Sequence, residues 1–282
     1  MRGRSAIGWS AKSESIKRIA SALNIGPDAI AFIDDQTFER EEVSFHLPEV
    51  NCFAPDAIPF LDRMPELRPD IISAESARRR LMYLEDNLRQ IEEQNFKGEA
   101  REFLVTLNMQ MSIFHARELD IKRAEELTLR TNQFNTTGYA YSLEELDFFR
   151  QSPVHRLYMV ELADRFGKYG IIGLGLLECA HDVWIIKLLL MSCRVVSRGV
   201  GTVLINYLMQ LAKDAGVRLK AEIIPNDRNR MMQIAYAFAG FREHECTGNL
   251  HLLENDLSVI QEVPTYVSLI TDDLASTVEE RQ

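Results

Sequence analysis

The stretch that decides the fold is Trp184-Ile-Ile-Lys-Leu-Leu-Leu-Met-Ser-Cys-Arg-Val-Val-Ser-Arg-Gly-Val-Gly201. From Val183 to Met191 it is an apolar run broken only by Lys187, long enough for a buried strand and too short to span a bilayer. It then turns on Gly199 and Gly201 into a helix predicted over Val200 to Ala215. Strand, glycine turn and helix in that order let backbone N–H groups converge on an anion, and the helix adds the positive end of its dipole. A tight turn with no ligand would use the same glycines, so the turn alone leaves both readings open.

Working outward, Leu157 to Asp164 and Ile171 to Glu178 read as hairpin partners across Arg165 to Gly170. Downstream lie a strand over Val217 to Ile224, a helix over Asn229 to Ala239 and the last strands after Gly240-Phe241. Upstream, Phe103 to Phe114 reads as a strand and Leu119 to Leu129 as a helix. Gly138 to Tyr141 is extended before a helix capped by Ser142, with Glu144 and Glu145 in its first turn. Leu81, Leu84, Leu88 and Ile91 fall at helical spacing within Ser73 to Gln94, which reads as a connector. The front alternates helix and strand: Ser13 to Leu23, Ala29 to Ile33 ending at Asp34-Asp35, Glu39 to Phe45, then an extended Asn51 to Ala54. A stretch with Pro55, Pro59, Pro65 and Pro69 follows. The expected organisation is a small unit over residues 1–70, a helical connector over 71–99, a larger α/β domain over 100–270 and a tail over 271–282.

With 46% hydrophobic residues in 282 the chain has ordinary globular composition, so disorder and coiled coil are excluded. Thirty-two Lys and Arg against forty-two Asp and Glu leave a charge of −10, the wrong sign for a protein that binds by neutralising nucleic-acid phosphates. Cysteines at 52, 179, 193 and 246 form no CxxC pair, so neither a disulfide nor structural zinc is expected, and no other metal. Neither a signal peptide nor a membrane span is read, which makes a soluble, cytoplasmic protein the expectation.

Strand, Arg198-Gly199-Val200-Gly201, helix, strand at Ala221 to Ile224, then Asn229 followed by Tyr236 and Gly240-Phe241, resembles the core of the GNAT acyltransferase fold. The resemblance implies a mixed, mostly antiparallel sheet flanked by helices. It implies coenzyme A or phosphopantetheine as co-substrate rather than a tightly bound cofactor. Arg198, Gly199, Val200, Gly201 and Asn229 then form the coenzyme side, and Tyr236 protonates the departing thiolate. The family's usual Gln or Arg three residues before the first glycine is Val196 here.

A second resemblance covers more of the chain. Thr131-Asn-Gln-Phe-Asn135, Asp164-Arg-Phe-Gly167, Ser192-Cys-Arg194 and Arg198-Gly-Val200 are similar to the C-terminal part of FkbH-like proteins, HAD-family enzymes of polyketide pathways. These are associated with loading a glyceryl unit onto an acyl carrier protein. Gly8-Trp9-Ser-Ala-Lys12, Leu23-Asn-Ile-Gly26 and Phe32 to Arg40 look like the latter half of that HAD domain, a small Rossmann-like remnant. There Lys12 would steady phosphate, and Asp34 and Asp35 would hold magnesium. No DxDxT occurs in the chain, so HAD phosphatase activity is not expected unless a partner subunit supplies the nucleophile. At Gly201 the FkbH-like pattern more often has glutamate, whose charge would repel a pyrophosphate.

Acyl transfer from acyl-CoA or an acyl carrier protein, in secondary-metabolite assembly, is the expected activity. A catalytically silent docking module and half of a split glyceryl-transfer enzyme are the rivals. Cys193 is a candidate acyl relay, or a small apolar residue. Tyr236 is a general acid or a core anchor, and Glu178, His181 and Glu222 are bases or ordinary polar residues. Asn132, Gln133 and Asn135 line the acceptor side or satisfy local backbone. Arg165 meets a carboxylate or phosphate, or pairs with Asp164.

Overall fold

Alternation of apolar side chains at a period of two, with helices on both sides, produces two cores about one sheet. The computed structural model describes residues 10–23, 25–68, 74–131, 134–227 and 229–272. It divides the chain into two units, Met1–Ile72 and Ser73–Gln282. Gly8, Trp9 and residues 273–282 of the expected tail lie outside the described residues.

In the first unit α1 (Lys12–Leu23), β1 (Ala31–Ile33), α2 (Thr37–His46) and β2 (Asn51–Phe53) follow in order. The two strands pair in parallel, Ala31 with Asn51 to Ile33 with Phe53. Ile16, Val43, Leu47 and Val50 form the core, a small one. Of the proline-rich stretch, Pro55–Arg63 and Pro65–Leu67 become 3-10 turns, since each proline fixes φ and removes a donor, and Pro69 lies outside the described residues.

The second unit opens with α3 (Ala74–Asn95) and α4 (Ala100–Thr106), then β3 (Met109–His115), α5 (Ile121–Arg130), α6 (Leu143–Gln151), β4 (His155–Asp164), β5 (Gly167–Cys179) and β6 (Val183–Met191). After the glycine turn come α7 (Gly201–Asp214), β7 (Arg218–Ile223), α8 (Arg230–Phe238), β8 (Arg242–Thr247), β9 (Leu250–Asn255) and β10 (Val267–Thr271). Strand order is β10-β3-β4-β5-β6-β7-β9-β8. β10 with β3 and β6 with β7 are parallel, and the other neighbours are antiparallel, so the sheet is mixed and mostly antiparallel as expected. Met109, Met111 and Ile113 of β3, and Ile186, Leu189 and Met191 of β6, join residues of α4, α7 and α8 in one core. Leu188 and Leu190 of β6 join α5 and α6 in the other.

Two expectations are corrected. Phe103 to Phe114 is a helix and then a strand: the Glu99 N–H donates to the Glu102 carboxylate (3.1 Å) at the start of α4, and Asn108 at φ 50° reverses the chain into β3. The hairpin of β4 and β5 turns on Arg165-Phe166 alone, because β5 begins already at Gly167 and takes up two extra residues, Tyr169 and Ile172, at its register shifts against β4. The Ser142 cap is found as read, its hydroxyl accepting from Glu145 N–H while the Glu145 carboxylate accepts from Ser142 N–H. α3, expected as a connector, is bonded to the sheet of the second unit.

Candidate functional site

β6 and β7 are paired only from Val183 with Arg218 to Ile186 with Ala221. Beyond that the two parallel strands diverge toward their C-terminal ends, and the chain itself fills the gap. Met191 N–H donates to Phe134 O (3.0 Å), Thr136 N–H to Leu189 O (3.2 Å) and Leu189 N–H to Thr136 Oγ1 (3.1 Å). On the other side Ile224 N–H donates to Thr136 O (3.0 Å). Asn229, fully buried at the start of α8, locks the segment: its Nδ2 donates to Asn135 O (3.2 Å), Thr136 O (3.1 Å) and Ile224 O (2.9 Å). Asn135, a predicted acceptor-side residue, is also buried and accepts from Thr137 N–H and Gly138 N–H through Oδ1, an Asx turn. Asn132 and Gln133 lie outside the described residues.

The glycine turn follows directly from β6. Cys193–Arg198 is a 3-10 turn that ends on Gly199 in the left-handed region, φ 69°, where an L side chain is strained. A Cβ there would also stand 2.7 Å from the Tyr266 hydroxyl, which lies over the turn. Gly201 begins α7, and a Cβ built on it meets nothing within 4 Å. Val200 is buried in the core, and Arg198 is turned inward, buried over Phe103 and paired with Glu93 at 3.1 Å. Arg194 donates to Tyr169 O (2.9 Å), and Cys193 is exposed rather than buried. An anion at this turn would therefore meet backbone and the end of a 14-residue helix, with the nearby arginines already engaged.

Tyr236 is fully buried, and its hydroxyl has no hydrogen-bond partner among the described residues. Burial, with the charge of Glu222 added, pushes its phenol well above the usual range, so the proton stays on oxygen. Glu222 on β7 is bound by Lys187 on β6, which also reaches Glu178 at the end of β5 (3.6 Å). Burial, then Glu222 and Glu145, pushes Tyr141 up to about 12, and Tyr139 donates to Glu145 (2.8 Å). Glu222, Lys187 and Glu178 thus form one cluster on adjacent strands, whereas His181 is exposed in the turn between β5 and β6.

Arg165 does not pair with Asp164. It lies over the Phe166 ring and 3.5 Å from Glu92. Asp164 is buried and accepts from Arg89 Nε (2.7 Å) and Nη2 (2.8 Å), Tyr169 Oη (3.0 Å), Phe166 N–H (2.9 Å) and Gly167 N–H (3.2 Å). Arg89 also stacks on Tyr169 at 3.9 Å. Gly167 has φ 146°, and a Cβ there would clash with Glu85 at 2.3 Å. The DRFG stretch is a structural joint between α3 and the sheet. In the first unit Asp34 Oδ1 accepts from Gln36 N–H (2.9 Å), shaping the entry to α2, while Asp35 is exposed and Lys12 begins α1. Among the described residues no three His, Cys, Asp or Glu side chains come together as a metal-holding group, and no helix is long and apolar enough to cross a membrane.

Sequence reading missed Thr136 and Arg89. Asn135-Thr136-Thr137-Gly138 carried a turn signal, but nothing local says that it pairs with a strand about fifty residues away.

No family model matches the chain, and no curated protein matches it. Among solved structures it is similar to the ribosomal-protein-S18-alanine N-acetyltransferase from Escherichia coli, at 14% identity and TM-score 0.42 over 55% of this chain and 98% of that one. It is also similar to Ard1 from Thermoplasma volcanium, at 15% identity and TM-score 0.41 over 54% and 99%. A third is the spermidine N-acetyltransferase from Vibrio cholerae in complex with CoA and spermine, at 16% identity and TM-score 0.39 over 51% and 93%.

Proposed function

We propose that the second unit is a GNAT-type acyltransferase taking its acyl group from a pantetheine thioester, with acyl-CoA as the simplest donor. The observation that carries this reading is the divergence of β6 from β7, with β6 running on into the Gly199–Gly201 turn and the N-terminus of α7. Such a fork offers an extended, amide-bearing arm a strand edge to bond to, and offers its phosphates a helix end. An acceptor nitrogen then attacks the thioester carbonyl, the C–S bond breaks, and Tyr236 gives its proton to the sulfur. Glu222 takes the proton lost by the nitrogen.

In the conformation described, Phe134–Thr136 holds the edge the arm would use, so the donor enters as that segment withdraws. An acyl carrier protein as donor, a polyketide setting and a HAD remnant at residues 1–70 rest on the sequence resemblance; the structure gives the DRFG part of it an architectural role.

The test is calorimetric titration with coenzyme A of the wild type and of Gly201→Glu. Micromolar binding, about −8 kcal/mol, lost in the variant supports the reading. A wild type that binds no coenzyme A overturns it. The filled edge and the sealed Tyr236 favour one second reading, a docking module without chemistry, which predicts that negative result.

A further inference from the structure

α3 buries the face that sequence periodicity marks as polar. Arg89 and Met82 turn toward the sheet, while Leu81, Leu88 and Ile91 are each more than half exposed. At 100° per residue the stripe of Leu81, Leu84, Leu88 and Ile91 is centred roughly 130° around the helix from the buried side. Its 3-4-3 spacing is that of a two-helix seam. We propose that this stripe is the contact between two copies of the chain, paired through α3 in antiparallel fashion about a two-fold axis.

The pattern is self-complementary in that direction. With the axis at Asp86, Leu84 packs on the partner's Leu88 and Leu81 on the partner's Ile91, and each contact occurs twice. Arg78, exposed on the flank of the stripe, then stands beside the partner's Glu92, again twice. Glu92 is exposed, and Arg165 lies 3.5 Å from it. A parallel pair would need Glu85 as the acidic flank, but its carboxyl is packed against Gly167 with Oε2 buried. Charge therefore selects the antiparallel pair.

The test is sedimentation velocity of the full chain from about 1 to 200 μM, for the wild type, Leu88→Glu, Arg78→Glu, Glu92→Arg and the double exchange Arg78→Glu/Glu92→Arg, with circular dichroism as a check on folding. A dimer is expected for the wild type, weakened at least tenfold by Leu88→Glu and by each single charge reversal, and restored in the double exchange. Leu84→Cys mixed with Leu88→Cys should crosslink faster than either variant alone. A wild type that stays monomeric, or a dimer indifferent to Leu88→Glu, overturns the proposal, and so does a dimer that the double exchange fails to restore.

Discussion

Arg89 sits among leucines in a helix whose apolar stripe suggests that its charges face water, yet it is among the most buried side chains of the protein. Burial works against its charge, but the hydrogen bond and the charge of Asp164 outweigh that cost and hold the guanidinium ionised. Removing one partner leaves the other buried without a counter-charge, so Arg89→Ala should cost about 3–5 kcal/mol, read as a lower urea midpoint. No reading of residues 74–95 by themselves could find this, because Asp164 is 75 positions away. Glu145 is a milder case. Bonds from Ser142 N–H and Tyr139 hold its carboxyl below the ordinary range, so its support of α6 is complete at neutral pH. That support is lost as pH falls through the lowered value. Protection of the amides in the first turn of α6, taken relative to the intrinsic exchange rate at each pH, should fall on acidification in the wild type, and much less in Glu145→Gln.

Elements were legible where one period dominates. Val183–Met191, with no competing helical pattern, and α6, with its reciprocal cap, stand where they were read. Phe103 to Phe114 failed because Phe103 and Leu107 follow a helical step while Met109, Met111 and Ile113 alternate, and the join at Asn108 is a backbone event without a strong residue signal. The glycine turn was legible; the segment lying across the fork was not, since Phe134–Thr136 finds its partners only in the folded sheet. Two predictions belong at this scale. Gly201→Glu has open space and a helix N-terminus that favours a carboxylate, so its melting temperature should stay level or rise slightly while coenzyme A binding disappears. Asn229→Ala leaves three carbonyls without their shared donor, so the amides of Thr136, Leu189, Met191 and Ile224 should exchange at least tenfold faster. Coenzyme A affinity should rise with them, and unchanged affinity alongside faster exchange would mean that the arm does not lie on the edge of β6.

At the scale of the whole molecule the contrast between the units is one of core size. Among the described residues the first rests on a cluster of Ile16, Val43, Leu47 and Val50, of which Val43 is the most enclosed. Val43→Ala should therefore cost about 2 kcal/mol there and speed amide exchange in α1, α2 and β2. The second rests on two cores about one sheet, and that sheet is closed at one side by β10, which pairs with β3 while Asp272 accepts from His115 N–H across 157 positions. During synthesis at about 5–20 residues per second, the outer edge of β3 emerges roughly 8–30 s before the strand that covers it. For that interval its unpaired amides and carbonyls are open to any strand nearby, so the nascent chain passes through a stage dependent on whatever shields it as it leaves the ribosome.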